Sequence, residues 1–368
     1  MTRVTYLLSK DPVVEHGGDI ALSRLMIEIT KTFADVETIC LSTAGDAPSV
    51  PGLTRVIKPA PSMRLVPRSL AHRRSIVHER YDHPELRATI AAHHGRSDVW
   101  VAEHSYMAES YLRAREPGVR FVINTVNTES QVWKATRGII GRLQSPFILR
   151  DEVRVARAAD AVGTYDADEA QMYRDEGATG ARWIDLTMPP ATRLALADAG
   201  PRLVFMGTRD WPPNQEAFEI ALRLWPRIAE GIEGAELYIV GAKAANAPEV
   251  TYPDGVFDLG FVDDLQSFLS TCRALIAPVA TGGGVRVKIL DAASRGLPVI
   301  GTSAAIGSLG PVFDLDPFDD EAQFVEQARR YLRDAAHAET QSRTLHDRNA
   351  QRWADGVPQR AVQDLICP

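Results

Sequence analysis

The sequence predicts an α/β protein made of two parallel-sheet domains. Three observations predict it. Short apolar runs alternate with amphipathic stretches along nearly the whole chain, the pattern of strands joined by crossover helices. The alternation breaks near Met188-Pro189-Pro190, runs through an Ala-rich stretch to Gly200, and then restarts. The chain has 368 residues, 45% of them hydrophobic, enough for two cores of ordinary size. The boundaries expected are 1–188 for an N-terminal domain and 189–345 for a C-terminal domain. A helical tail over 346–368 is expected to cross back to the first domain.

The elements follow in order. Residues 4–8, Val-Thr-Tyr-Leu-Leu, read as a strand, and 20–34 as a helix with Leu22, Leu25, Met26, Ile29 and Phe33 at helical spacing. Residues 36–41, 98–102, 120–123, 161–164 and 182–186 are further strand candidates, with a helix over 166–176. In the second half, 203–206, 237–240, 274–277 and 298–300 read as buried strands, separated by helices over 214–228, 264–271 and 285–295. Residues 320–332 are helical, and 347–365 are helical in part.

Composition narrows the function. Lys plus Arg number 41 and Asp plus Glu 48, a net charge of −7. Such a chain is not built to coat nucleic acid, so any anion it binds must be held locally. Cys40, Cys272 and Cys367 are scattered without metal-ligand spacing and read as reduced thiols, which points to the cytoplasm. No stretch approaches about 18 consecutive apolar residues, the length a spanning helix requires. One segment is strongly basic: 59–84 carries Arg64, Arg68, Arg73, Arg74 and Arg80 with His72, His78 and His83. It reads either as a solvated helical insertion or as a surface for an anionic acceptor or lipid headgroups.

The chemistry concentrates in 278–310. A strand ends at Ala277, Gly282-Gly283-Gly284 follow, and a helix is expected from Val285. Glycines let the backbone approach a ligand closely. The free N–H groups and positive end of the helix then favour a phosphate. Lys288, Asp291 and Arg295 fall on one helical face. Lys288 suits a phosphate and Asp291 suits a pair of ribose hydroxyls. A Gly-rich turn with a Lys-Asp pair three apart also occurs for packing alone.

The stretch Gly-Gly-Gly-Val-Arg-Val-Lys-Ile-Leu-Asp-Ala-Ala-Ser-Arg-Gly-Leu-Pro-Val-Ile resembles the donor-binding signature of the retaining GT-B glycosyltransferases of family four. Other stretches agree. His16-Gly17-Gly18 is similar to that family's N-terminal glycine loop. Residues 154–170 look like its helix-strand-helix stretch before the interdomain crossing. Phe205-Met206-Gly207 with Trp211-Pro212-Pro213-Asn214 resembles the opening of the C-terminal domain, and 259–264 the loop that cups the base. The resemblance covers roughly residues 1–310. It implies GT-B architecture, two Rossmann-like domains facing a donor cleft, with no metal or other cofactor and a nucleoside diphosphate sugar as co-substrate.

By that resemblance, the base lies near Phe261 and Val262 and the ribose at Asp291. The diphosphate meets Gly283, Gly284 and Val285, with Gly17 and Gly18 completing the cradle, and Gly207, Thr281 and Gly282 are further donor-binding positions. Lys288 and Arg209 neutralise the leaving group, and Asn127 and Glu129 face the acceptor, which is a glycan, a lipid-linked molecule or a small molecule. Contact with a membrane surface, at its inner face, belongs to the same expectation. The Asp-x-Asp stretches at 166–168 and 314–316 read as a helix start and a loop.

Three positions depart from the family pattern. Thr281 or a neighbouring glycine stands where a Glu usually contacts the donor sugar. Asp291 replaces a longer Glu. Val126 stands where relatives carry His, and His104, at the end of another strand, is the candidate to stand in for it. A sugar-nucleotide-binding protein without turnover, and a nucleotide-sugar epimerase on the same fold, therefore stay open at this point. A dinucleotide-dependent oxidoreductase is disfavoured, because no Gly-x-Gly-x-x-Gly follows the first strand.

Overall fold

The computed structural model describes residues 1–44, 48–60, 62, 64–243, 249–281 and 283–368. The chain forms two compact units. One comprises Met1–Leu186, Gly283–Val287 and Val357–Pro368; the other comprises Thr187–Gly282 and Lys288–Gly356.

In the first unit the order is β1 (Thr2–Leu8), α1 (Gly18–Lys31), β2 (Ala34–Ser42), β3 (Leu53–Ile57), α2 (Leu65–His72), α3 (Ile76–Tyr81), α4 (Pro84–Ala92) and β4 (Val99–Glu103). It continues with α5 (Ala108–Arg113), β5 (Arg120–Asn124), α6 (Glu129–Thr136), α7 (Gly138–Arg157), β6 (Ala161–Thr164), α8 (Ala167–Asp175) and β7 (Ala181–Trp183). The seven strands pair in the order β3-β2-β1-β4-β5-β6-β7, all parallel. A parallel sheet covered on both faces needs strands apolar throughout. Every residue of β4 is buried, as are the last five of β1. Trp100, Tyr111 and Phe121 anchor the core, the last two stacked with centroids 4.2 Å apart.

The second unit contains β8 (Arg202–Met206), α9 (Pro212–Ala229), β9 (Glu236–Val240), β10 (Val256–Gly260), α10 (Leu265–Leu269), β11 (Ala274–Ala277), α11 (Val287–Arg295) and β12 (Val299–Gly301). Short helices α12 (Ser303–Ile306) and α13 (Leu309–Phe313) precede α14 (Glu321–Arg333) and α15 (Ala335–Ala354); the last helix, α16 (Val357–Ile366), belongs to the first unit. Its parallel sheet runs β10-β9-β8-β11-β12. Each sheet reverses strand order at one place: β1 beside β4, and β8 beside β11. Open α/β sheets bind ligands beyond the carboxyl ends of strands at such points.

Several elements differ from the sequence reading. Strand β3 is unforeseen, because Thr54 and Arg55 interrupt its apolar run; its edge position tolerates them, and Arg55 pairs with the buried Asp11 at 2.6 Å. Residues 259–260, expected in a loop, close strand β10, so the loop begins at Phe261. Strand β7 ends at Trp183, three residues short of the expected 186. Helix α11 opens at Val287, two residues later than expected. Asp166 does start a helix, accepting the N–H of Asp168 at 2.9 Å. Asp314 lies past the end of α13 in a left-handed conformation and pairs with Arg348.

The basic segment is indeed a helical insertion, α2 to α4, and most of its charge is spent internally. Arg68 and His72 meet Glu79, each at 3.0 Å. Arg74 meets Asp82 and Glu109. Arg80 donates to the Pro59 carbonyl, and His78 is buried.

Candidate active site

The second unit gathers a polar cluster at the carboxyl ends of its central strands. Gly207 follows β8, and Pro212 and Pro213 open α9, where a missing N–H costs nothing and the fixed φ suits a first turn. That turn carries Asn214 and, one residue beyond Gln215, Glu216. A Cβ at Gly207 would lie 2.9 Å from the Asn214 side chain, so only glycine allows this approach. Lys288, in the first turn of α11, donates from Nζ to Asn214 Oδ1 at 3.0 Å and sits 5.6 Å above the Phe205 ring. Thr281 donates to Glu216 at 3.0 Å. The structure thus brings Gly207, Thr281 and Lys288 together, through two residues of α9 that the sequence reading did not assign.

The electrostatics of Lys288 are distinctive. Desolvation pushes its ammonium down to about 8. Among the described residues it makes no ion pair; its polar partner is a neutral amide. A desolvated cation without a carboxylate is costly unless an anion arrives to meet it.

Other predicted residues are already engaged. Arg209, expected on the leaving diphosphate, is buried in a two-pronged pair with Asp258, at 2.6 and 3.0 Å, and donates to the Gly241 carbonyl. Burial alone would raise the Asp258 carboxyl, but Arg209, Tyr252 and Lys243 hold it well below the usual carboxylate range. Asp291 pairs with Arg295 one turn on, at 3.1 Å, rather than with Lys288. Phe261 is 82% exposed, and Val262 beside it is half-buried. Gly282 lies outside the described residues.

The first unit holds the rest. Gly17 caps α1 at a φ of 142°, and Gly18 opens it; a Cβ at Gly18 would meet the Val287 side chain at 3.3 Å. The Gly284 N–H donates to Glu169 at 3.1 Å, and the Val285 N–H to the Val126 carbonyl at 3.0 Å. Two amides expected to face a diphosphate are therefore occupied here. Burial pushes the Glu169 carboxyl up to about 6. Arg286 pairs with Asp166 at 2.8 Å. Gly283 lies in the same unit, where a Cβ would come 3.1 Å from Glu169.

His104 is buried after β4 at a φ of 64°. Its ring stacks on Tyr106 with centroids 4.8 Å apart. Its Nδ1 is 3.6 Å from Glu129 Oε1, so two of the predicted residues are neighbours. Asn127 lies against Gly284 instead. The preceding residue, Glu103, is a buried carboxyl that the sequence reading missed. Burial raises it to about 7, and it accepts from Ser23 and Asn124. Glu103 ends an otherwise apolar strand, the one signal that could have found it.

Residues 200–334 match the family model described as glycosyl transferases, group 1. No curated protein matches the sequence. A sucrose-phosphate synthase from Thermosynechococcus elongatus has a similar structure, with a TM-score of 0.72, 17% identity, and 97% of each chain covered. WaaG, a glycosyltransferase involved in lipopolysaccharide biosynthesis, gives 0.67 at 15% identity, covering 99% of this chain and 100% of its own. HepE from Anabaena, solved with UDP and glucose, gives 0.65 at 13%, covering 99% of each. The two parallel sheets are those of the GT-B fold. Residues 200–334 therefore form a group 1 glycosyltransferase domain, within a chain that has the GT-B fold.

Proposed function

We propose that the protein is a retaining transferase that moves a sugar from a nucleoside diphosphate sugar to an acceptor hydroxyl. The observation that carries this reading is Lys288, a desolvated cation without an acidic partner among the described residues, beside Gly207 and Asn214. A diphosphate supplies the missing negative charge. The exposed Phe261 offers a ring face to the nucleotide base. Asp291 can serve the ribose only by loosening its pair with Arg295. Arg209 acts in support, by holding Asp258, which in turn meets Tyr252 and Lys243.

In the reaction the bond between the anomeric carbon and the phosphate oxygen breaks, its electron pair staying on that oxygen. A bond from the acceptor oxygen to the anomeric carbon forms on the same face. The acceptor proton passes to the departing phosphate oxygen, so no metal and no protein base is required. Lys288 stays protonated throughout and stabilises the charge that grows on the diphosphate. HepE and TarM were solved with UDP or a UDP-sugar, which favours UDP-sugars as the first donors to test. The acceptor hydroxyl belongs to a glycan, a lipid-linked molecule or a small molecule. Unpaired cysteines, two of them buried, support a cytoplasmic site of action.

The test is a thermal-shift screen against UDP-, GDP- and ADP-sugars, followed by transfer assays with the stabilising donor. Selective stabilisation and transfer are expected. Lys288→Ala should lower kcat about a hundredfold or more. Unchanged kcat and KM would sink the assignment of Lys288. Donor binding without transfer to any acceptor would favour a binding protein, and release of an epimerised or free sugar without acceptor would favour an epimerase or hydrolase.

A further inference from the structure

Helix α7 presents an unusual face. Ile139, Ile140, Leu143 and Phe147 are 77%, 67%, 66% and 52% exposed. At 100° per residue they lie within about a third of the helix circumference. The opposite side is buried through Gly141, Ile148, Glu152 and Val155. This is an amphipathic helix with one apolar face turned inward and a second turned to solvent. Scattered exposed apolar residues need no explanation, but four in one stripe mark a contact surface.

The charges around the stripe identify what covers it. Residues 130–150 contain Lys134, Arg137, Arg142 and Arg150 and no Asp or Glu, in a chain whose net charge is −7. All four cations are exposed. Lys134 and Arg142 form no ion pair among the described residues. The guanidinium of Arg137 lies over Trp133 and that of Arg150 over Phe147, at 5.7 and 5.8 Å. Arg150 pairs with Asp151 at 3.1 Å, so the open charge of the rim rests on Lys134, Arg137 and Arg142. Arg150 also donates to the Arg73 carbonyl, which brings exposed Arg73 to the same end of the helix. A second copy seated on this face by two-fold symmetry would set one cationic rim against another. An anionic bilayer satisfies both halves of the pattern: acyl chains take the stripe and headgroup phosphates take the rim.

We propose that α7 docks the protein on an anionic membrane surface, lying in the interface with Ile139, Ile140, Leu143 and Phe147 inserted. The contact is peripheral: among the described residues no helix is long and apolar enough to cross a membrane. This reading does not rest on the donor site, which lies in the other unit.

The test is vesicle co-sedimentation of the full chain. Vesicles of phosphatidylcholine mixed with phosphatidylglycerol should bind it, with binding weakened by salt, and phosphatidylcholine alone should not. Ile140→Ser/Phe147→Ser should lower the partition coefficient at least tenfold while leaving Tm and donor binding unchanged. Lys134→Glu/Arg142→Glu should do the same, since each surface cation contributes about fivefold. Arg96→Glu/Arg333→Glu, an equal charge change elsewhere, should have little effect. Equal binding to neutral vesicles, or undiminished binding by both α7 variants, would overturn the proposal. So would a dimer in sedimentation equilibrium that Ile140→Ser/Phe147→Ser abolishes.

Discussion

Lys288 and Arg209 are both cations near the carboxyl ends of the second sheet, and their surroundings give them different work. Lys288 faces an amide and an aromatic ring. With its ammonium pushed down to about 8, the folded state binds fewer protons than the unfolded state between about pH 8 and the ordinary lysine value. Lys288 therefore makes the free protein more stable as pH rises through that window. A diphosphate reverses the shift by favouring the charged form. Donor binding should take up protons near pH 8 and weaken above it, a result titration calorimetry in buffers of different ionisation enthalpy can read. Absence of proton uptake would separate Lys288 from the phosphate. Arg209→Ala should instead act on stability. It leaves the buried Asp258 with weaker partners, at a cost of roughly 3 kcal/mol, measurable by urea denaturation, while the remaining folded enzyme keeps most of its kcat.

At the scale of elements, the turn into α11 depends on backbone geometry. Gly284 has a φ of 68°, and a Cβ there would stand 2.5 Å from the Val126 carbonyl. Gly284→Ala should destabilise the protein by roughly 1–3 kcal/mol, visible as a lower Tm. Helix α6 has a different device. Glu152, on α7, accepts the N–H groups of Glu129 and Ser130 at 2.6 and 3.2 Å, so a neighbouring helix caps it. Burial pushes that carboxyl up to about 8. Its folded value lies above its unfolded one, so its contribution is fullest at low pH and is lost as pH rises from about 4.5 through 8. Glu152→Gln keeps an acceptor and cannot ionise. Its Tm relative to the parent should improve between pH 5 and pH 8, and a constant difference across that range would contradict the assignment.

Over the whole molecule, the chain's last helix belongs to the first unit. Val362, Leu365 and Ile366 of α16 are buried. Arg120 donates to the carbonyls of Leu365 and Ile366, and Arg182 to that of Asp364. At Gly163 in β6 a Cβ would lie 2.5 Å from Ile184 and 2.7 Å from Leu365, so these two side chains fill the space that a larger residue would need. Removing residues 357–368 should lower the melting of the first unit by several degrees and leave the second nearly unchanged, as two calorimetric transitions would report. A uniform loss across both would show that α16 supports more than its own unit.

What the sequence determined by itself is the alternation of buried strands and amphipathic helices, the restart after Met188, and the Gly-rich turn before a helix carrying Lys288. These are local, periodic signals, and β6 and β11 coincide with their expected ranges. Tertiary structure alone decided the partners. Nothing in the spacing of Lys288 and Asp291 says that Lys288 turns to Asn214 and Asp291 to Arg295. Nor does it say that Glu169 and Val126 occupy the Gly284 and Val285 amides, or that one stripe of α7 stays uncovered. Those outcomes depend on groups far apart in sequence meeting in space, where desolvation and competing acceptors settle which pairs form.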